Sequence, residues 1–206
     1  MYWHKTPSWL RKFYPTFTWR RPDTEKKLYL TFDDGPIPGM TTWVLDQLAQ
    51  YQVKATFFCV GDNIRKYPEV FSWVRLQGHA LGNHTFNHMN GWKTPQDEYI
   101  RNTQFCQRFL STDTKLFRPP YGRIKKKQAL QLQQEGYEIV MWDVLTGDFD
   151  RKLSPEKCLK KTIEATENGS IIVFHDNVKA EERITHVLPR YIEHCLEKGF
   201  TFELLK

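Results

Sequence analysis

Seven short runs of β-branched, aromatic and aliphatic residues recur along the chain: KLYLTF, ATFFCV, HALGNH, KLFRPP, YEIVMWDV, SIIVFHD and FTFELL. Most are separated by segments with helical spacing of apolar positions, as in TTWVLDQLAQY and around Tyr99, Phe105 and Leu110. Thr94-Pro95 and Ser154-Pro155 each offer a hydroxyl at an N-cap followed by proline at the first helical position. Gly78, Gly136, Gly169 and Gly199 stand where a helical pattern stops and a strand pattern begins. Repeated strand–helix–glycine punctuation predicts βα units and a largely parallel α/β sheet of about seven strands. A barrel and an open doubly wound sheet both fit this order, and in either the chemistry gathers at the C-terminal ends of the strands.

The 206 residues, 40% of them hydrophobic, suit one globular domain with a full core, and no internal repeat or second linker interrupts it. The expected organisation is a basic and aromatic arm over residues 1–26 and one catalytic domain over 27–206. Thirty aromatic residues (seven Trp, nine Tyr, fourteen Phe) fit both a core and the walls of a carbohydrate cleft. The net charge of +6 is concentrated in WLRKFYPTFTWRR, RIKKK and KCLKK. Such runs mark solvated surface, and without an accompanying motif they do not predict nucleic acid as a partner. An acidic envelope or a membrane surface fits the arm better, and peripheral membrane contact is set beside simple packing on the domain. Cys59, Cys106, Cys158 and Cys195 lie far apart with no C-x-x-C pair, which argues against a cysteine zinc site or a disulfide framework. Residues 1–20 lack the apolar core and cleavage site of a secretory signal, so a cytoplasmic location is expected, with envelope association as the alternative.

The polar motifs fall at the predicted strand ends. DDGP follows KLYLTF, NH follows HALG, RPPYG follows KLF, and HD follows SIIVF. His84 and His88 are four apart, a spacing that brings two imidazoles to one face if the segment is helical. Asp33 and Asp34 would point to opposite faces of a regular strand, so both reach one site only if the chain leaves the strand there, for which Gly35-Pro36 provides a turn. Two histidines and one carboxylate (Asp34, His84, His88) make a catalytic zinc set with a position left for water, and cobalt, nickel or iron are compatible. A metal there acidifies that water, polarises a carbonyl and orients the substrate. The other groups fit hydrolysis of an acyl group. Asp33 can take the proton of the attacking water, Arg118 can pair with Asp33 and keep it ionised, and the Tyr121 N–H can face an oxyanion. His175 can protonate the leaving amine, and Asp148 can orient that imidazole.

In this order, TFDDGP, HTFNH, RPPYG, WDVLTGDF and IIVFHD resemble the five motifs of the polysaccharide deacetylase family, carbohydrate esterases that remove acetyl groups from chitin, peptidoglycan or xylan. The resemblance runs from about Lys27 to Leu205. It implies a distorted (β/α) barrel of the NodB-like kind with fewer than eight regular repeats. It also implies an acetylated carbohydrate as substrate. By motif it makes Asp33 the base, Asp34, His84 and His88 the metal ligands, Arg118 the residue that tunes the base, Tyr121 the oxyanion donor, Asp148 the partner of the acid and His175 the acid. Phe149 stands where the family often has tryptophan, and Val173 and Phe174 where leucines are common, near the expected acetyl pocket. Two other readings keep the same fold: a non-catalytic carbohydrate-binding relic, and a hydrolase of non-sugar amides.

Overall fold

The computed structural model describes residues 2–21 and 24–206; Met1, Pro22 and Asp23 of the predicted arm lie outside them. In chain order a short helix α1 (Ser8–Phe13) precedes β1 (Lys27–Asp33), α2 (Met40–Gln50), β2 (Thr56–Cys59), α3 (Gly61–Lys66), α4 (Pro68–Leu76) and β3 (Ala80–Asn83). These are followed by α5 (Gln96–Leu110), β4 (Leu116–Phe117), α6 (Lys126–Gln134), β5 (Glu138–Ile139) and β6 (Val144–Leu145). The chain closes with α7 (Pro155–Ala165), β7 (Ile171–His175), α8 (Glu181–Glu197) and β8 (Thr201–Phe202).

All strand pairs are parallel, in the order β5-β4-β3-β2-β1-β7-β6, with β8 beside the start of β1. The sheet is curled rather than open, which decides between the two expected architectures. Its outer strands β5 and β6 are consecutive in the chain, with four residues between them, so the two edges cannot be far apart. The expected single run YEIVMWDV is therefore two strands, and Val140–Asp143 spans the seam between them.

The N-terminal arm fills that seam. Thr18 bridges Val140 next to β5, and Lys5 bridges Val144 in β6. The Thr18 N–H donates to the Ile139 carbonyl at 2.8 Å, and the Leu145 N–H donates to that of His4 at 2.9 Å. Edge strands expose unpaired backbone groups, and the arm pairs them on both sides. Its cations are largely spent on internal partners: Lys5 and Arg11 on Asp143, Arg20 on Glu167, Arg21 on Glu138. Trp3, Trp9 and Phe13 stay exposed, packed edge to face on one another.

Alternation along the strands separates two cores. Leu28, Leu30 and Phe32 of β1 pack outward with the helices, as do Phe57 and Cys59 of β2 and Ile172 and Phe174 of β7. Inward, Tyr29 meets Phe58, Leu116, Val140, Ile171 and Leu205. Phe174 stacks on Phe32 and packs at a tilt against Tyr191 in the outer layer, so it does not line the site as expected for the residue before His175. Ser154 caps α7 as predicted, its hydroxyl accepting from the Lys157 N–H. The other expected cap differs: Thr94 donates to the Asn90 carbonyl, and Pro95 is the N-cap of α5. Gly78, Gly136 and Gly199 follow the ends of α4, α6 and α8 in the left-handed region. Gly169 lies four residues past the end of α7, in the turn that enters β7. All four cysteines are free and buried. No helix of the described residues is long and apolar enough to cross a membrane.

Candidate active site and metal centre

The site sits where the strands end. Asp33 is the last residue of β1 and is in register with His175, the last of β7. Period-two alternation turns Thr31 and Asp33 inward, where both meet Arg118. Its Nη1 lies 2.7 Å from Thr31 Oγ1 and 2.7 Å from Asp33 Oδ1. Nη2 donates to the Met141 carbonyl at 2.9 Å, and the guanidinium lies over the Phe58 ring at 4.1 Å. Arg118 is wholly buried and Asp33 is 3% exposed, so the pair is shielded from bulk solvent. An ion pair this deep holds only because the remaining donors are satisfied.

The chain leaves the strand at Asp34, whose φ of +85° turns its carboxylate toward the loop that follows β3. Gly35 is demanded by close approach: a Cβ there would stand 2.0 Å from Asp176 Oδ2. Asp176 accepts from the Gly35 N–H at 3.0 Å and from the Thr41 hydroxyl at 2.5 Å. Burial pushes its carboxyl up to about 8 against those bonds.

His84 and His88 do not lie on a helix. They belong to the loop after β3, in which Thr85 and His88 both have positive φ, and this fold of the backbone turns both rings toward Asp34. The shared-face argument from their spacing is thus replaced by a loop conformation. His84 Nδ1 is 2.7 Å from the Arg118 carbonyl, so it carries the proton and leaves Nε2 free. His88 Nδ1 meets the Tyr121 hydroxyl at 3.1 Å, and its Nε2 faces Asp34 Oδ1 at 3.0 Å. Asn177 Nδ2 donates to the other Asp34 oxygen at 2.5 Å, and Asn63 holds the Asp34 carbonyl at 2.7 Å. Burial pulls the His84 imidazole down to about 4 despite the nearby carboxylates, keeping it neutral and able to bind a cation. Burial works the other way on Asp34, but the His88 hydrogen bond and the neighbouring imidazoles outweigh it and hold the carboxyl below the usual range.

Among the described residues, Asp34, His84 and His88 are the His, Cys, Asp or Glu group whose ligand atoms lie within 4.8 Å of one another. Two imidazole Nε2 atoms and a carboxylate, each residue held from behind by a hydrogen bond, make a donor set that fits a divalent ion.

On the far side of Asp33, Asp148 accepts from His175 twice: Oδ2 from the backbone N–H at 2.7 Å and Oδ1 from Nδ1 at 2.8 Å. Asp148 is buried, and its own carbonyl accepts from Arg183 Nε at 2.7 Å. Burial alone would lower the His175 imidazole, but the Asp148 carboxylate outweighs it and raises the group to about 9. Nε2 is the ring atom left to face the site. Tyr121 follows Pro119-Pro120 with φ of +61°, its ring exposed beside His88. All eight residues singled out in the sequence are therefore brought together at the strand ends. Sequence reasoning missed the groups that hold them: Thr31, Asn63, Asp176 and Asn177. Asn177, two residues past His175 at a strand end, is the one that position alone could have flagged. Of the other histidines, His186 and His194 lie on α8, His79 precedes β3, and His4 belongs to the arm beside β6.

Comparison with known proteins bears on this geometry. The polysaccharide deacetylase family profile matches residues 20–140. A peptidoglycan-N-acetylglucosamine deacetylase of Bacillus cereus is 34% identical over 203 residues, covering 96% of this chain and 73% of that protein. A chitooligosaccharide deacetylase of Azorhizobium caulinodans is 31% identical, covering 79% of this chain and 80% of its own length. The crystal structure of the Bc1960 peptidoglycan N-acetylglucosamine deacetylase, in complex with 4-naphthalen-1-yl-N-oxidanyl-benzamide, superposes with a TM-score of 0.86. It is 32% identical and covers 97% of this chain and 95% of the other.

Proposed function

Because the chain belongs to the polysaccharide deacetylase family, we propose that it removes the acetyl group from N-acetylglucosamine units of a polymer or oligomer, using a divalent ion held by Asp34, His84 and His88. The amino sugar is suggested by the substrates in the names of the two curated relatives. Zinc is the ion the donor set suits first, with cobalt, nickel or iron compatible. Bound there, such an ion supplies Lewis-acid polarisation and lowers the pKa of water.

The chain's own residues supply the rest. Asp33 is the general base, with the Arg118 guanidinium at 2.7 Å as its counter-charge. The Tyr121 N–H faces the developing oxyanion. Asp148 fixes Nδ1 of His175, so Nε2 delivers the proton that the departing nitrogen needs. The observation that carries this reading is the register of β1 with β7. It sets Asp33 and His175 side by side at the mouth, each backed by its own buried ionic partner. A binding relic would have no use for either pair.

The test is acetate release from N-acetylglucosamine oligomers and from peptidoglycan. Chelation should abolish release, and added zinc or cobalt should restore it. Full turnover in verified metal-free protein would contradict the proposal. Peripheral contact of the arm with a membrane is a separate proposal, supported by the exposed Trp3, Trp9 and Phe13 beside Lys12. Flotation with anionic liposomes tests it, and absence of binding at low salt would end it.

A further inference from the structure

The arm reaches the candidate site itself. Tyr2 packs on Phe149 with ring centroids 5.2 Å apart, and Phe149 packs edge to face on His175 at 5.1 Å and 78°. The Tyr2 hydroxyl donates to Asp150 Oδ2 at 3.1 Å, fixing the ring to the loop that also carries Asp148. The approach is close. Gly147, at φ +76°, has no room for a side chain: a Cβ there would lie 2.5 Å from the Tyr2 hydroxyl and 3.0 Å from His4 Cε1. Behind Tyr2 the arm is pinned to β6 by the Leu145–His4 bond, the Thr6–Asp143 bond at 2.8 Å and the Lys5–Asp143 ion pair.

The Asp148 bond holds His175 at one ring nitrogen and leaves the ring free to tilt about that bond. A ring face pressed against one side removes the tilt. Phe149 is only half-buried, so it needs backing of its own to act as that wall. Tyr2 is the backing.

We propose that Tyr2 is a positioning residue for His175, acting through Phe149. The inference rests on the reading of His175 as the acid for the leaving group, and the experiment separates the two.

Turnover of an N-acetylglucosamine oligomer and of an activated acetyl ester is measured in Tyr2→Ala, Tyr2→Phe, Lys5→Ala and His175→Ala, each with its Tm. A leaving alkoxide of low basicity needs the proton of His175 less than a leaving nitrogen does. Tyr2→Ala should lower kcat on the amide about 10-fold, with KM unchanged and the ester much less affected. Tyr2→Phe keeps the ring and should stay within about twofold of the parent on both substrates. Lys5→Ala loosens the segment behind Tyr2 without removing its ring and should lower Tm while shifting the amide-to-ester ratio no further than Tyr2→Ala does. Equal losses on the two substrates in Tyr2→Ala, with His175→Ala still selective for the amide, would overturn the role of Tyr2. So would a ratio that shifts further in Lys5→Ala than in Tyr2→Ala. If His175→Ala itself harms both substrates equally, the acid role fails and the Tyr2 inference falls with it.

Discussion

Asp33 and Asp34 are joined by one peptide bond and live in opposite surroundings. Asp33 ends a strand, is 3% exposed and gives an oxygen to a wholly buried guanidinium. Asp34 is off the strand at φ +85°, its side chain 21% exposed, and is surrounded by two imidazoles and the amide of Asn177. The first carboxylate already has its counter-charge in the protein. The second has imidazoles and an amide around it and no guanidinium, the surroundings of a metal ligand rather than of an ion-paired base. Adjacent identical residues thus acquire different chemistry because one turn sends them into different electrostatic environments.

The largest effect should come from taking away the partner of Asp33. Arg118→Ala leaves a buried carboxylate without compensation and should cost about 3–5 kcal/mol of stability. Chemical denaturation reads this, and a loss within experimental error would show that Asp33 does not depend on Arg118. Next is the hydrogen bond that orients Asp34. Asn177→Ala should weaken metal binding by about 10–100-fold while leaving the fold intact, as titration of the apoprotein would show. Unchanged affinity would mean that Asn177 does not set the free oxygen.

A third effect is a slope with pH, and it belongs to His175. Its imidazole is raised to about 9 in the folded protein by Asp148, above the ordinary value of 6.5. Between those values the folded state binds more protons than the unfolded one, so stability falls as pH rises. In metal-free protein the contribution of this pair should be complete below the ordinary value and lost by about 9. Denaturation midpoints across that range should fall less steeply in His175→Asn. Parallel slopes in both proteins would show that the imidazole is not held charged by Asp148.

Much of this site was legible in the chain. Strand runs ending in DDGP, RPPYG and HD placed Asp33, Arg118 and His175 correctly at strand ends, because period-two hydrophobicity and glycine punctuation are local signals. Four features were not local. The seam between β5 and β6 hides inside one apolar run, since Val140 and Met141 look like continuous strand and only closure of the sheet separates them. His84 and His88 converge through the left-handed backbone at Thr85 and His88, which a four-residue spacing does not encode. Asp176 and Asn177 act across β1 and β7, contacts fixed by register rather than by neighbourhood. The arm, read by composition as suited to a membrane or to packing, also completes the edges of the sheet, a role set by where those edges meet.

Metal content and turnover measured together in Asp33→Asn and Asp34→Asn test the central distinction most directly. Asp33→Asn should retain its metal and lose about 10²–10⁴-fold in turnover, the loss of a general base. Asp34→Asn should lose the metal, and activity with it. An Asp33→Asn protein that purifies without metal, or an Asp34→Asn protein that keeps it fully, would contradict the assignment of the two carboxylates.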